Sequence, residues 1–388
     1  MRRRPIGAVL ALALPVLLAA CGGADSSTPA PSPPPSTSAA GTPSGDPSPS
    51  ASASATPTAS PSGSTGAPAQ GTPTDPVALE PSTDLLDWTP LPGRVIDTVT
   101  TDGTWTLTLD QSQRTAVLTD GEARIRLASG QGRSFGDALL DDAYAVVVAQ
   151  DDAEGAPAIA TVVDLADGSR WRLDGRSAVP TTSGGSWTLA GARLLHPTLK
   201  DGAYCLAEVD LAARSSTVGY CAPPRSGFNS ALLSTAGLGL LTFDDSQPSC
   251  RTAVTLDGAT ATPLPGVPDC SAWQGLPTPE GAVWSTIPKP RRVEHAQYFA
   301  RSGESWFDLG PGVSGTLTWC GGSAFFSRDP DDAADPARLL RWDGARLTVA
   351  YEAPAGQSFI AEPRCAGSRL NISVLAEGGD EQVSATVD

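Results

Sequence analysis

Seven cysteines and two histidines are the side chains from which nucleophilic or metal chemistry would be built. Six of the cysteines, Cys205, Cys221, Cys250, Cys270, Cys320 and Cys365, lie in the C-terminal half, and no two form a CxxC pair. His196 and His295 are far apart, so a Cys/His zinc site is not expected. An even set of thiols in an exported chain reads instead as three disulfides, which removes the thiols as nucleophiles. No convincing Ser or Cys set with a serving His, P-loop or dinucleotide fingerprint is present, so no catalytic residue, cofactor or metal ion is assigned. Arg328-Asp-Pro-Asp-Asp-Ala-Ala-Asp335 offers hard oxygens of the kind calcium takes, but without the alternating acids and Gly of a calcium loop. It reads as a solvated connection, as do Asp141-Asp142, Asp151-Asp152 and Asp244-Asp245. Lys289-Pro-Arg-Arg-Val-Glu-His295 is the one local basic cluster, suited to an acidic partner or a phosphate-rich wall polymer, with an ordinary exposed loop as the plain alternative.

The elements that would position these residues are strands. Runs such as Trp105-Thr-Leu-Thr-Leu and Arg346-Leu-Thr-Val-Ala-Tyr alternate apolar and polar residues, and no stretch of a dozen keeps a helical apolar spacing. A turn precedes an apolar strand seven times, at Asp102-Gly103, Asp142-Ala143, Gly184-Gly185, Ala236-Gly237, Glu280-Gly281, Gly321-Gly322 and Ala366-Gly367. The interval accommodates four short strands and their turns, the content of one propeller blade. The reading is an all-β domain, a single propeller of seven four-stranded blades, with two β-sandwiches as the competing architecture. Asp-Gly hairpins at Asp167-Gly168, Asp257-Gly258 and Asp343-Gly344 support the repeat. Thr262-Pro-Leu-Pro-Gly266, ending one outer strand, recurs as Thr89-Pro-Leu-Pro-Gly93. The segment Leu86 to Leu91 is therefore expected to be an outer strand that completes the last repeat and closes the ring. In this frame Cys205 and Cys221 flank one hairpin, Cys250 and Cys270 another, and Cys320 and Cys365 occupy equivalent turns, so these three pairs are expected out of fifteen connectivities.

By repeat length and turn spacing alone, residues 80 to 388 resemble the bacterial WD40-like and TolB-like β-propellers. The Gly-His and Trp-Asp dipeptides of those repeats are missing from their usual places, so no functional residue carries over and the resemblance implies shape alone. Thr101-Asp-Gly-Thr-Trp105 and Ser302-Gly-Glu-Ser-Trp306 faintly resemble the Asp-box of sialidase-like propellers, which is itself structural. The three Arg, Tyr, Glu and Asp of such an enzyme are not assembled by any spacing here. Most of the nine Trp lie in strand patterns and are expected between blades.

The chain opens with Met1-Arg-Arg-Arg-Pro and an uncharged run from Ile6 to Ala20, the layout of a removable signal peptide. Leu18-Ala19-Ala20-Cys21-Gly22 resembles the lipobox of bacterial lipoproteins, which implies acylation of Cys21 after removal of residues 1–20. One acyl chain binds a membrane marginally, at about 0.8 kcal/mol per buried methylene, whereas the two or three chains of a lipoprotein anchor firmly. Residues 21–78 are dominated by Ser, Thr, Pro, Ala and Gly, too poor in apolar surface to order, and read as a tether reaching roughly 40 Å. Residues 79–388 form the domain and carry the chain's net charge of −16, the leader's three Arg being balanced by Asp25, Asp46 and Asp75. Nucleic acid and anionic headgroups are poor partners for such a surface. Basic residues are nearly all Arg, which reads as the coding bias of a GC-rich, actinobacterial genome. The expectation is a lipoprotein on the extracytoplasmic face of the cell membrane, serving as a binding or scaffolding module for an envelope protein or wall polymer. The alternative is a propeller-type glycosidase or lyase acting on envelope carbohydrate. An exposed apolar patch would mark the first, carboxylates and Arg gathered at the inner ends of several blades the second.

Overall fold

The computed structural model describes residues 76–332, 335–354 and 356–388. Residues 1–75, where a signal segment, the lipid-bearing Cys21 and a tether are expected, lie outside them. The described chain folds into seven antiparallel four-stranded blades arranged as a ring, and it contains no helix. Blade 1 comprises Thr98–Thr101, Thr106–Leu109, Thr115–Thr119 and Arg124–Ala128. Blade 2 follows with Arg133–Leu140, Tyr144–Asp151, Ile159–Asp164 and Arg170–Leu173, and blade 3 with Thr188–Ala190, Arg193–Lys200, Ala203–Asp210 and Ser215–Cys221. Blade 4 is Ser226–Ser234, Gly237–Asp244, Arg251–Asp257 and Thr260–Pro263. Blade 5 is Ala272–Thr278, Gly281–Thr286, His295–Ser302 and Ser305–Val313, and blade 6 is Thr318–Cys320, Ser323–Arg328, Arg338–Trp342 and Leu347–Glu352. First strands of different blades approach one another, which places them around the ring axis.

Blade 7 is assembled from both ends of the described chain. Its first strand is split into Ser358–Ile360 and Arg364–Ala366, both paired with Arg369–Ala376. Glu381–Thr386 follows, and Thr89–Pro90 supplies the outermost strand against Val383 and Ser384. The two Thr-Pro-Leu-Pro-Gly copies sit alike: Leu264 N–H donates to Ala253 O at 2.9 Å, Leu91 N–H to Gln382 O at 2.8 Å. Proline fits there because an outermost strand has one edge that needs no donor. Two pairings lie upstream of the expected closing strand. Val77–Ala78 runs parallel to Phe307–Asp308 on blade 5, and Ser82–Thr83 parallel to Thr348–Val349 on blade 6. The segment from Val77, two residues before position 79, is therefore a strap along the outer edges of three consecutive blades. It covers edges that would otherwise offer unpaired backbone groups. Two-residue strands in a polar sequence carry no periodicity, which is why they are invisible in the sequence.

One repeat marker falls elsewhere than expected. Gly184-Gly185 precedes the first strand of blade 3, and the hairpin turn is Gly191-Ala192. Gly185 is small because it is crowded: a Cβ there would lie 2.5 Å from the Tyr204 hydroxyl, at a φ of +83°.

Six apolar clusters fill the junctions from blade 1–2 through blade 6–7. The closing junction, blade 7 to blade 1, is instead polar. The fully buried Asn371 accepts from Thr101 N–H and donates to Thr101 O, both at 3.0 Å, so one amide side chain stands in for a neighbouring strand. Arg364 donates to Thr100 Oγ1 at 3.1 Å and to Val99 O at 3.2 Å, and Gln382 Nε2 donates to the carbonyls of Arg94, Val95 and Asp97. Three disulfides add to the frame. Cys205–Cys221 bridges facing residues within blade 3, Cys250–Cys270 ties blade 4 to the start of blade 5, and Cys320–Cys365 joins the first strands of blades 6 and 7. These are the expected pairs.

Candidate functional site

A cavity of about 760 Å³ opens between blades 4 and 5. At its wall a bulge interrupts the first strand of blade 5, where Ala272 pairs with Thr286 but Gln274 with Ser285. The extra residue is Trp273, and a bulge re-aims its side chain, here into the cavity wall. Trp284, Phe299, Trp306 and Phe307 extend that wall, joined by Pro248, Pro268, Pro290, Ile287 and Val293. The rings brace one another. Trp284 and Phe299 stack with centroids 5.8 Å apart, Trp306 meets Trp284 edge-on at 5.8 Å, and Arg251 and Arg301 lie 4.6 and 5.3 Å over Trp273 and Trp306. Gly266, three residues past the blade 4 outer strand, has φ +83°, and a Cβ there would fall 1.2 Å from the Trp306 ring. The bare backbone is thus the seat of that indole. Cys250–Cys270 closes the rim. Among these lining residues the groups able to hydrogen-bond a ligand are few, chiefly Ser246, Ser249, Ser271, Thr286 and Arg251. The Trp284 indole N–H is buried without an acceptor. Such a surface takes an apolar or proline-containing chain more readily than a hydroxyl-rich sugar.

A second group of residues converges near the axis. Asp137 lies on the first strand of blade 2 just past a register shift, Trp187 directly before the first strand of blade 3, and Glu362 and Arg364 at the split first strand of blade 7. Burial pushes the Asp137 carboxyl up to about 7, against the pull of the Trp187 backbone N–H and with a push from Glu362. Crowding by neighbouring protein atoms also raises Glu362, although the residue stays open to solvent, and the Arg364 charge opposes the shift. The Arg364 guanidinium donates to Val99 O, Thr100 Oγ1, Ser373 Oγ and Glu362 O, which makes it a clip across the closing junction. Carboxylates of raised pKa are suited to acid–base work, and neither Asp137 nor Glu362 stands out by sequence spacing.

The remaining sequence candidates are dispersed. Asp102 Oδ1 accepts from Thr104 and Trp105 N–H, each at 2.7 Å, so that Asp-box-like turn is self-bonded. Asp141 accepts from Gly191 N–H, Asp151 from Gly155 and Ala156, Asp152 from Ser134, and Asp244 from Ser246 and Cys250, while Asp245 pairs with Arg225. Asp329, Asp331 and Asp332 border a separate cavity of about 630 Å³ with Phe359, Glu377 and Asp380. Among the described residues no three His, Cys, Asp or Glu side chains are grouped to hold a metal ion. His196 is buried and stacked on Trp187 at 4.7 Å, its Nδ1 2.9 Å from Pro197 O. Burial lowers its pKa and it serves as packing. His295 is exposed beside Glu294, and Lys289, Arg291 and Arg292 are exposed next to the blade 4–5 cavity, whose lining includes Pro290 and Val293 between them.

Fold and comparison define the class together: the chain is a seven-bladed β-propeller. The sequence matches no protein-family profile and no curated protein. Among solved structures it is similar to the β-propeller domain of the Trilobed protease from Pyrococcus furiosus, with a TM-score of 0.53, 11% identity, and coverage of 74% of this chain and 95% of that one. A structure from a study of two prolyl endopeptidases matches with a TM-score of 0.50 and 14% identity over 74% of this chain, spanning 46% of that chain's length. At such identities the likeness is one of fold.

Proposed function

We propose that this protein is an extracytoplasmic binding module, anchored to the cell membrane through lipid on Cys21, whose blade 4–5 groove docks a partner of the envelope. The groove carries this reading: Trp273, Phe299, Trp306 and Phe307 stay half-buried along a wall backed by the buried Trp284, so the apolar packing of the blade 4–5 junction continues into an open surface. The lipobox-like Leu18 to Gly22 and the Ser/Thr/Pro-rich segment after it support the anchoring, and three disulfides suit an oxidising compartment. Arg364 argues against a substrate clamp in the channel, since its donors are largely spent on the seam. The test is fractionation of cells carrying the wild type or Cys21→Ala, combined with crosslinking of the wild type and Trp273→Ala. Release of Cys21→Ala from membranes and loss of one crosslinked species with Trp273→Ala are expected. Retention of Cys21→Ala would overturn the anchoring, and a crosslink pattern indifferent to Trp273 would overturn the groove.

A second reading is favoured by one observation, the placement of Asp137 near Glu362 at the axis. An Asp titrating near neutrality beside a second carboxyl suits general acid–base cleavage of an envelope glycan. Hydrolysis of wall polysaccharide by wild type but not by Asp137→Asn would establish it, and equal inactivity of both would dismiss it.

A further inference from the structure

Cations without partners surround the groove. Acidic side chains outnumber basic ones by 42 to 26 in the chain, and several Arg residues on other blades sit in ion pairs: Arg114 with Asp152 at 3.0 Å, Arg193 with Glu208 at 2.7 Å, Arg225 with Asp245 at 2.6 Å. Around the groove the balance reverses. Arg251 lines it with its guanidinium 4.6 Å over Trp273, and among the described residues that guanidinium has no ion pair and no hydrogen-bond acceptor. Lys289, Arg291 and Arg292 are exposed and likewise have no carboxylate partner among the described residues. The carboxylates nearby are mostly engaged. Asp244 accepts from Ser246 and Cys250 N–H, Glu294 lies 3.6 Å from His295, and Glu304 lies 3.6 Å from Arg301. Asp269, exposed between the lining residues Pro268 and Cys270, is the remaining acid of the rim.

The hydroxyls of the wall are turned inward. Ser249 Oγ donates to Asp244 O at 2.6 Å, Ser271 Oγ to Pro268 O at 2.9 Å and Ser246 Oγ to Pro248 O at 2.9 Å. The Arg251 guanidinium is therefore the strongest donor that the groove presents to a ligand. Val293 adds to the lining a large apolar side chain that is 46% exposed. A ligand that matches this arrangement is apolar along its length and carries a carboxylate. Aromatic walls dock prolyl segments, whose polyproline II form is preordered. A phosphate-rich polymer would answer the cations but leave the rings uncovered.

We propose that the blade 4–5 groove takes an acidic, proline-containing segment of a partner protein, with prolyl rings on Trp273, Phe299 and Trp306 and a carboxylate on Arg251. The inference rests on the reading of the groove as a docking surface and adds the chemistry of its occupant. Arg251 sets the selectivity, because losing a hydrogen bond between charged groups in a half-buried site weakens binding roughly tenfold to a hundredfold. Lys289, Arg291 and Arg292 act at longer range. They draw an acidic segment toward the groove past a domain that otherwise repels it, and salt screens that attraction.

The test is fluorescence anisotropy of two labelled synthetic peptides, repeated Pro-Pro-Glu and repeated Pro-Pro-Gln, titrated with the full chain. The Glu peptide is expected to bind roughly tenfold more tightly or better, with an advantage that shrinks as salt rises. Arg251→Gln should erase most of that advantage. The variant K289Q/R291Q/R292Q, altered only at exposed side chains, should reduce the advantage and its salt dependence. Equal affinity for the two peptides, or a preference that survives both variants, would overturn the acidic occupant. Displacement of the Glu peptide by poly(glycerol phosphate) or by vesicles of anionic phospholipid at lower concentrations than by the unlabelled peptide would overturn it too, in favour of those ligands. Failure of both peptides to bind would also sink the inference. Cellular crosslinking then separates it from the reading beneath: a partner that still depends on Trp273 leaves the docking surface standing, and one indifferent to Trp273 removes it.

Discussion

Asn371→Ala should open the ring where it closes. In the wild type this amide is fully buried and holds Thr101 N–H and Thr101 O across the junction of blades 7 and 1, each at 3.0 Å. Alanine leaves a cavity in which both backbone groups lose their partner, and Thr101 is itself buried. An unsatisfied buried group costs about 1–3 kcal/mol, so the pair amounts to about 2–6 kcal/mol. At about 2 °C per kcal/mol for a domain of this size, the melting temperature should fall by roughly 4–12 °C. Urea denaturation followed by Trp fluorescence measures the loss directly. A change below about 0.5 kcal/mol, the range of an ordinary surface substitution, would refute the view that this polar junction stands in for the apolar clusters found at the other six.

Removing Cys320–Cys365 by a double Ser substitution should cost about 4 kcal/mol by loop entropy for a span of 45 residues, read by thermal denaturation; no loss would show that the seam does not depend on it. Asp137 should give a pH signature. A carboxyl whose folded pKa is raised to about 7 holds a proton that the unfolded chain has already released, so stability falls as pH rises from about 4 to about 7. Asp137→Asn should remove about 2–4 kcal/mol of that slope and be the more stable protein at pH 8, whereas parallel pH profiles would contradict the assignment. Gly266→Ala should displace the Trp306 indole and shift its fluorescence, because no Cβ fits beneath the ring, and an unchanged spectrum would contradict that seating.

The repeat was legible because it rests on periodicity: Asp-Gly hairpins, alternating strands and turns at a steady interval were enough to count seven blades and pair six cysteines. The closing strand was legible for another reason, the duplicated Thr-Pro-Leu-Pro-Gly, whose copies occupy equivalent outer edges and make equivalent hydrogen bonds. Gly184-Gly185 misled because glycine serves close approach as well as turns, and the strap at Val77 and Ser82 was hidden because two residues show no period. The groove was hidden for a deeper reason. Trp284 and Trp306 are expected to pack between blades, and Trp284 largely does. A one-residue bulge sets Trp273 in the wall of the groove, and no sequence pattern announces a bulge. Asp137, Glu362 and Arg364 are likewise brought together by ring closure rather than by spacing.

The most direct measurement places a photo-crosslinking amino acid at Ser271, on the groove rim, in the full chain displayed by intact cells, with a second probe at Asp380 as control. A single defined partner captured from Ser271, absent from Asp380 and lost with Trp273→Ala, is the expected result. Capture from both positions alike, or capture unchanged by Trp273→Ala, would contradict the assignment of the blade 4–5 groove as the docking surface.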